Sequence, residues 1–257
     1  MAKVSVVIAC KNEQSQMRRC LESVIWADEI VIVDDVSEDD TVAICREYTT
    51  NIILNDSGGS FHHNKNVGIE NASGDWIFSI DADEIVSTEL AISVRNAVND
   101  SGMLGYFINR KNYFLGSWIK GCGWYPDYII RLFRKGVTKW PLEIHDTPKI
   151  EDTEKTGYLQ GSLIHLSYTS IQQYMNKFDK YTTKLACEES EKGVRISKLN
   201  YATLFIVKPL YWFFRKYIIW RGCLDGFRGL FICTASAMTI FMTYAKLWEK
   251  QLDKMTK

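Results

Sequence analysis

Asp81-Ala-Asp83 places two carboxylates two residues apart, directly after the apolar run Trp76 to Ile80. On extended backbone, residues i and i+2 face the same side. The pair therefore suits a hard divalent cation that also grips a diphosphate. The plainer alternative is a solvated acidic turn helping a helix start. Asp34-Asp35 closes a second apolar run and could accept hydrogen bonds from a ribose or a base, or form a polar turn before Ser37. Lys11-Asn12-Glu13 closes a third such run. Lys65 could meet a phosphate, or could simply face solvent.

These polar sets need a scaffold that brings them together. The β-branched runs Val4 to Ala9, Glu29 to Val33, Asn51 to Leu54 and Asp75 to Ile80 are predicted strands. Helices are expected between them, around Met17 to Ile25, from Ser37 to Tyr48 behind a capping box, and from Phe61 to Ala72. Another is expected from Ser87 or Thr88 to Asn99. Alternation of this kind predicts an α/β fold with a parallel, doubly wound sheet. Ligands of such sheets bind at the carboxyl ends of the strands, where the three polar sets fall. Further strands are predicted at Tyr106 to Leu115, Tyr128 to Phe133 and Gly157 to Leu166, and a helix from Thr169 to about Glu191. The division expected is a catalytic domain, 1–192, and a helical appendage, 193–257.

Composition narrows the function. The 257 residues carry 31 basic and 31 acidic side chains, a balance that argues against a nucleic-acid binder. No glycine-rich phosphate turn follows the first strand and no P-loop occurs, which removes dinucleotide-dependent dehydrogenases and P-loop NTPases. Seven cysteines without a CxxC pair read as reduced thiols of a cytosolic protein. Met-Ala-Lys runs straight into the first strand, so the catalytic part is expected to stay in the cytosol.

From Lys198 onward, ten basic residues face three acidic ones among many aromatics. Gly229 to Ala245 is uncharged, at the short limit for a spanning helix, but it contains Thr234, Ser236, Thr239 and Thr243. Helices lying in the plane of an anionic membrane surface fit that pattern better than a span. The alternative is that they bury their apolar faces against the catalytic domain.

Ser5-Val-Val-Ile-Ala-Cys-Lys-Asn-Glu13, Trp26-Ala-Asp-Glu-Ile-Val-Ile-Val-Asp-Asp35 and Asp75-Trp-Ile-Phe-Ser-Ile-Asp-Ala-Asp-Glu84 resemble glycosyltransferase family 2. The whole set is most similar to bacterial lipopolysaccharide core glucosyltransferases. Gly123-Trp-Tyr-Pro-Asp127 with Arg131-Leu-Phe-Arg134, Gly222-Cys-Leu-Asp-Gly226 and Tyr244-Ala-Lys-Leu-Trp-Glu249 extend the similarity over nearly the whole chain.

The resemblance implies a GT-A fold, a UDP-sugar donor, Mg²⁺ or Mn²⁺, and inversion at the anomeric carbon. Asp35 would contact uracil or ribose, with Glu13 and Lys65 lining the nucleotide pocket. Asp81 and Asp83 would hold the metal on the diphosphate, approached by His165. Asp146 is the first choice for the base, with Asp127 and Glu143 as alternatives; Asp127 could instead orient Arg131. Val36 stands where such proteins commonly have glycine or another small residue. The expected reaction moves a hexose, glucose by preference, onto a lipid-linked core oligosaccharide. It would take place on the cytoplasmic face of the membrane, the protein being peripheral there. Transfer to polyprenyl phosphate or another envelope glycan is the rival chemistry. A catalytically silent membrane-peripheral binding protein and a nucleotidyltransferase are the rival classes.

Overall fold

A computed structural model describes residues 2–100, 102–141 and 147–255. The first half alternates as expected: β1 (Val4–Cys10), α1 (Gln14–Glu22), β2 (Glu29–Asp34), α2 (Thr41–Cys45), β3 (Ile52–Leu54), α3 (Phe61–Asn71) and β4 (Trp76–Asp81). These are followed by β5 (Glu84–Val86) and α4 (Thr88–Ala97), the latter capped by Ser87. The second half contributes β6 (Gly105–Phe114), β7 (Ser117–Trp118), β8 (Tyr128–Arg134), β9 (Thr156–Tyr158) and β10 (Leu163–Tyr168). Helices α5 (Ile171–Glu191), α6 (Lys208–Phe214) and α7 (Gly226–Met255) close the chain.

The strands form one sheet in the order β3-β2-β1-β4-β8-β6-β10-β5, with β7 and β9 pairing to β6. Strands β1 to β4 pair in parallel, as expected. Beyond β4 the doubly wound expectation gives way: β8 runs antiparallel to both β4 and β6, and β10 antiparallel to β5. A parallel neighbour needs a crossover element on the sheet face, and no helix lies between β6 and β8. The α/β class stands, with a mixed sheet.

All seven residues of β1 are buried, which requires cover on both faces. Val4, Val6 and Ile8 enter a core with Met17, Leu21, Trp76 and Phe78. Val7 turns the other way, toward Val31, Ile69 and Ile77. Helix α3 lies unusually close to that second face. A Cβ on Gly68 would collide with Val7 Cγ1, so glycine lets the helix sit directly on β1.

Three local readings need correction. Ser37 does not cap α2; its hydroxyl and N–H both donate to Asp34. The helix starts only at Thr41, whose N–H donates to Asp39. Gly157 to Leu166 is two strands rather than one, with Gly161 at φ +85° between them. The short β5 was not foreseen; it exists because β10 pairs with it.

By packing, the chain forms two compact units: 1–111 with 127–165, and 112–126 with 166–257. Packing thus groups 112–126 and 166–192 with the C-terminal helices, and does not divide the chain at 192/193. The second unit has its own core, Phe114, Ile119, Cys122, Ile232 and Cys233, ringed by aromatics. Its helical run 203–219 includes two π-helical stretches flanking α6. Leu210, Tyr211, Phe214, Ile218 and Ile219 on that run are each more than half exposed. Among the described residues, one helix, Gly222–Leu252, is long and apolar enough to cross a membrane.

Candidate active site

Strand register assembles the site. Cys10 pairs with Asp34, and Ala9 pairs with Asp81, so the carboxyl ends of β1, β2 and β4 lie side by side. The loops beyond them are stitched together. Asn12, at φ +54°, donates its N–H to Ser37 Oγ and accepts from the Glu38 N–H. The Glu13 N–H donates to Thr41 Oγ1 at 2.8 Å, which ties the start of α1 to α2.

The two adjacent aspartates of β2 differ in role. Asp34 is spent on its own turn through Ser37. Asp35 accepts from the Ser57 N–H at 2.8 Å and faces Lys11 Nζ at 3.4 Å. Burial opposes its ionisation, but the Ser57 donors and Lys11 outweigh it and hold the carboxyl below its ordinary range. Val36 follows at φ +55°, a conformation that costs a β-branched residue and suits glycine.

Asp81 lies in a buried charge cluster. Lys65 Nζ is 2.5 Å from its Oδ1, and Arg131 Nη2 donates to its Oδ2 at 2.5 Å. Arg131 also donates to Glu84 Oε1 at 2.9 Å, and the other Glu84 oxygen accepts from the Asp81 N–H. Arg131 and Glu84 are essentially inaccessible, with side-chain exposures of 2% and 0%. Burial disfavours charge on Asp81, yet Arg131 and Lys65 prevail and keep its carboxyl well below the usual range. Burial pulls the Lys65 ammonium down, only partly countered by Asp81. Trp140 covers both cations, its ring 3.7 Å from Lys65 Nζ and 5.0 Å from the Arg131 guanidinium carbon. Its indole N–H donates to Ser79 Oγ, and its backbone N–H to Asn66.

Asp83 lies outside this balanced set. Strand β10 places His165 opposite Glu84, and His165 Nε2 comes within 3.4 Å of Asp83 Oδ2. Both side chains are partly exposed, at 17% and 19%. Asp127, a candidate base with an ion-paired role as the alternative, pairs with Arg110 Nε at 2.9 Å. Asp146 and Glu143 fall outside the described residues.

No group of three or more His, Cys, Asp or Glu side chains among the described residues is arranged to hold a metal. Asp83 and His165 offer one carboxylate and one imidazole, a donor pair acceptable to Mn²⁺, with places left for diphosphate oxygens and water. That pair fits a divalent ion; Asp81 is already held by two cations. The motifs contained Arg131 and Glu84 without assigning them to Asp81, and did not mark Arg110 or Trp140. Arg131 had a readable signal, a charge inside Tyr-Ile-Ile-Arg-Leu-Phe, since a buried charge implies a buried partner.

Residues 5–146 match the family described as glycosyl transferase family 2. An uncharacterised glycosyltransferase of Rickettsia typhi is 29% identical, over 98% of this chain and 89% of its own length. The lipopolysaccharide core biosynthesis glycosyltransferase LpsC of Rhizobium meliloti is 28% identical, over 98% and 94%. Among solved structures, a mannosyltransferase from Pyrobaculum calidifontis, in complex with GDP-Man and Mn²⁺, superimposes with a TM-score of 0.57. It covers 97% of this chain and 88% of its own at 12% identity, a likeness of GT-A fold alone.

Proposed function

The chain belongs to glycosyl transferase family 2, and on that premise we propose that it transfers a hexose from a UDP-sugar, glucose by preference, to a lipid-linked core oligosaccharide with inversion. The observation that carries the reading is the meeting of Asp83 and His165 at the carboxyl ends of the strands, beside the neutralised Asp81 cluster. The near full-length similarity to LpsC supports the choice of acceptor.

In this reading Asp35 accepts from the uracil or ribose, and Glu13 and Lys65 border the nucleotide. Asp81 pairs with Lys65 at 2.5 Å and holds it in place despite its burial. Asp83 and His165 would hold Mg²⁺ or Mn²⁺ on the diphosphate, where the ion neutralises the charge growing on the departing group. The acceptor hydroxyl attacks the anomeric carbon from the face opposite the diphosphate, and a carboxylate removes its proton. Asp127 is tied to Arg110. Asp146 follows closely on Trp140, the residue that covers Lys65, and is our choice of base, with Glu143 the alternative. The appendage, 193–257, would lie along the cytoplasmic face of the membrane with its exposed Leu210, Phe214 and Ile218 inserted. Helix α7 packs on α5 and α6 of its own unit, which favours lying on the bilayer over crossing it.

The test is UDP release from a panel of nucleotide sugars with Mn²⁺ or Mg²⁺. Hydrolysis or transfer with one UDP-sugar, lost with EDTA and in Asp83→Ala, is the expected result. Failure of the folded protein to bind any nucleotide sugar would overturn the assignment.

A further inference from the structure

The second unit holds a cavity of about 480 Å³ walled by aromatic side chains, among them Trp124, Tyr174, Phe178, Tyr181 and Trp212. Lys177 and Lys216 are the charged residues of its lining, and the lining contains no carboxylate or carboxamide. Lys216 Nζ donates to the neutral Ser236 Oγ at 3.0 Å, and Lys177 Nζ lies 5.0 Å from the Tyr168 ring centre. Among the described residues neither lysine has an acidic partner.

Lys216, partly buried at this aromatic hollow without a counter-charge, is electrostatically incomplete, and the exposed Lys177 adds a second cation at its edge. Burial also draws the Lys216 ammonium below its ordinary range, a cost that an anion beside it would offset. A saccharide would ask for acceptors as well as donors, which carboxylates and carboxamides usually supply. The walls instead suit a hydrocarbon chain joined to an anion. The helical run that lends Trp212 and Lys216 to the cavity exposes Leu210, Tyr211, Phe214 and Ile218 to the outside. An apolar exterior continuous with a cationic, aromatic interior points to a bilayer as the source of the ligand.

We propose that this cavity takes up one anionic phospholipid from the membrane surface, its chain among the aromatic side chains and its phosphate against Lys177 and Lys216. The choice of a bilayer lipid rests on the peripheral-membrane reading above. The cavity itself is tested without a bilayer, by titrating dioctanoyl phosphatidic acid below its micellar concentration. Tryptophan fluorescence would report affinity, and native mass spectrometry would report stoichiometry.

One saturable site per chain is expected, binding at least about tenfold more tightly than dioctanoyl phosphatidylcholine, the worth of one charge-assisted hydrogen bond. Lys177→Gln with Lys216→Gln should erase that preference while circular dichroism stays unchanged. Thr239→Trp should fill the cavity and remove binding of both lipids; if that variant does not fold, the lysine pair decides. Equal affinity for the two headgroups, indifference to the lysine substitutions, or tighter binding of octyl glucoside would each overturn the proposal. Binding of monomeric lipid without binding to phosphatidylglycerol vesicles would uphold the cavity and sink the peripheral reading alone.

Discussion

Replacing Arg131 by Met tests whether the buried charge cluster holds the first unit together. In the native cluster Lys65 and Arg131 balance Asp81 and Glu84. Arg131→Met leaves Lys65, with Arg110 only at the edge, against two carboxylates. Asp81 keeps Lys65 at 2.5 Å, so the loss falls on Glu84, which is wholly buried and retains only Arg110 Nη1 at 3.5 Å among its cations. Removing one member of a buried pair costs about 3–5 kcal/mol, against a total stability of about 5–15 kcal/mol for a typical domain. With a urea dependence of about 2 kcal/mol/M, the midpoint should fall by roughly 2 M. Hydrogen exchange at the β4 and β8 amides reads the change within this unit and avoids assuming that both units unfold together. Adding Glu84→Gln restores one positive against one negative charge and should recover about half of the loss. A single variant within about 1 kcal/mol of wild type, or a double variant less stable than the single, would refute the electrostatic account.

Four further outcomes are expected. His165→Ala should weaken Mn²⁺ binding in the presence of UDP, read by electron paramagnetic resonance, and slow transfer roughly a hundredfold or more; unchanged Mn²⁺ affinity would remove His165 from the metal site. Asp146→Asn should abolish transfer while sparing UDP-sugar binding, whereas Asp127→Asn should retain measurable turnover; the reverse pattern would exchange their roles. Asp35 has a depressed folded pKa, so its stabilisation is full above about pH 4, near the unfolded value, and is lost as pH falls through the folded one. Asp35→Asn should therefore be less stable than wild type at neutral pH, and the gap should close in acid, as followed by urea unfolding against pH. Val36→Gly relieves a left-handed residue costing about 1–2 kcal/mol at an entropic cost of about 0.5–1 kcal/mol, a net rise in melting temperature of a few degrees; an unchanged or lower value would show that Val36 is not strained.

The parallel half of the sheet was legible because its central strands β1, β2 and β4 are buried on both faces and so read as apolar runs, as in Val4 to Cys10, while β3 at the edge is only partly buried. The three polar strand ends followed from that reading, and register then set Asp34 and Asp81 beside β1. Antiparallel β8 and β6 were seen as strands, but their direction depends on connections that a local pattern does not encode. The meeting of Asp83 with His165 came from resemblance, because 82 residues separate them and no spacing rule links them. From its neighbours alone Lys65 could meet a phosphate or face solvent; its burial beneath Trp140 is a tertiary fact.

The Asp81 cluster also constrains how the chain can be made. A ribosome delivers Asp81 and Glu84 about fifty residues before the guanidinium that they share. At about 5–20 residues per second, the nascent N-terminal half waits some 3–10 s with carboxylates that it cannot yet bury. The β1–β4 segment therefore should not mature as it emerges, and an N-terminal fragment ending before residue 131 should stay open or be retained by chaperones. On this ordering, closure of the carboxyl ends of β1, β2 and β4 is expected to wait until the strand carrying Arg131 has been synthesised.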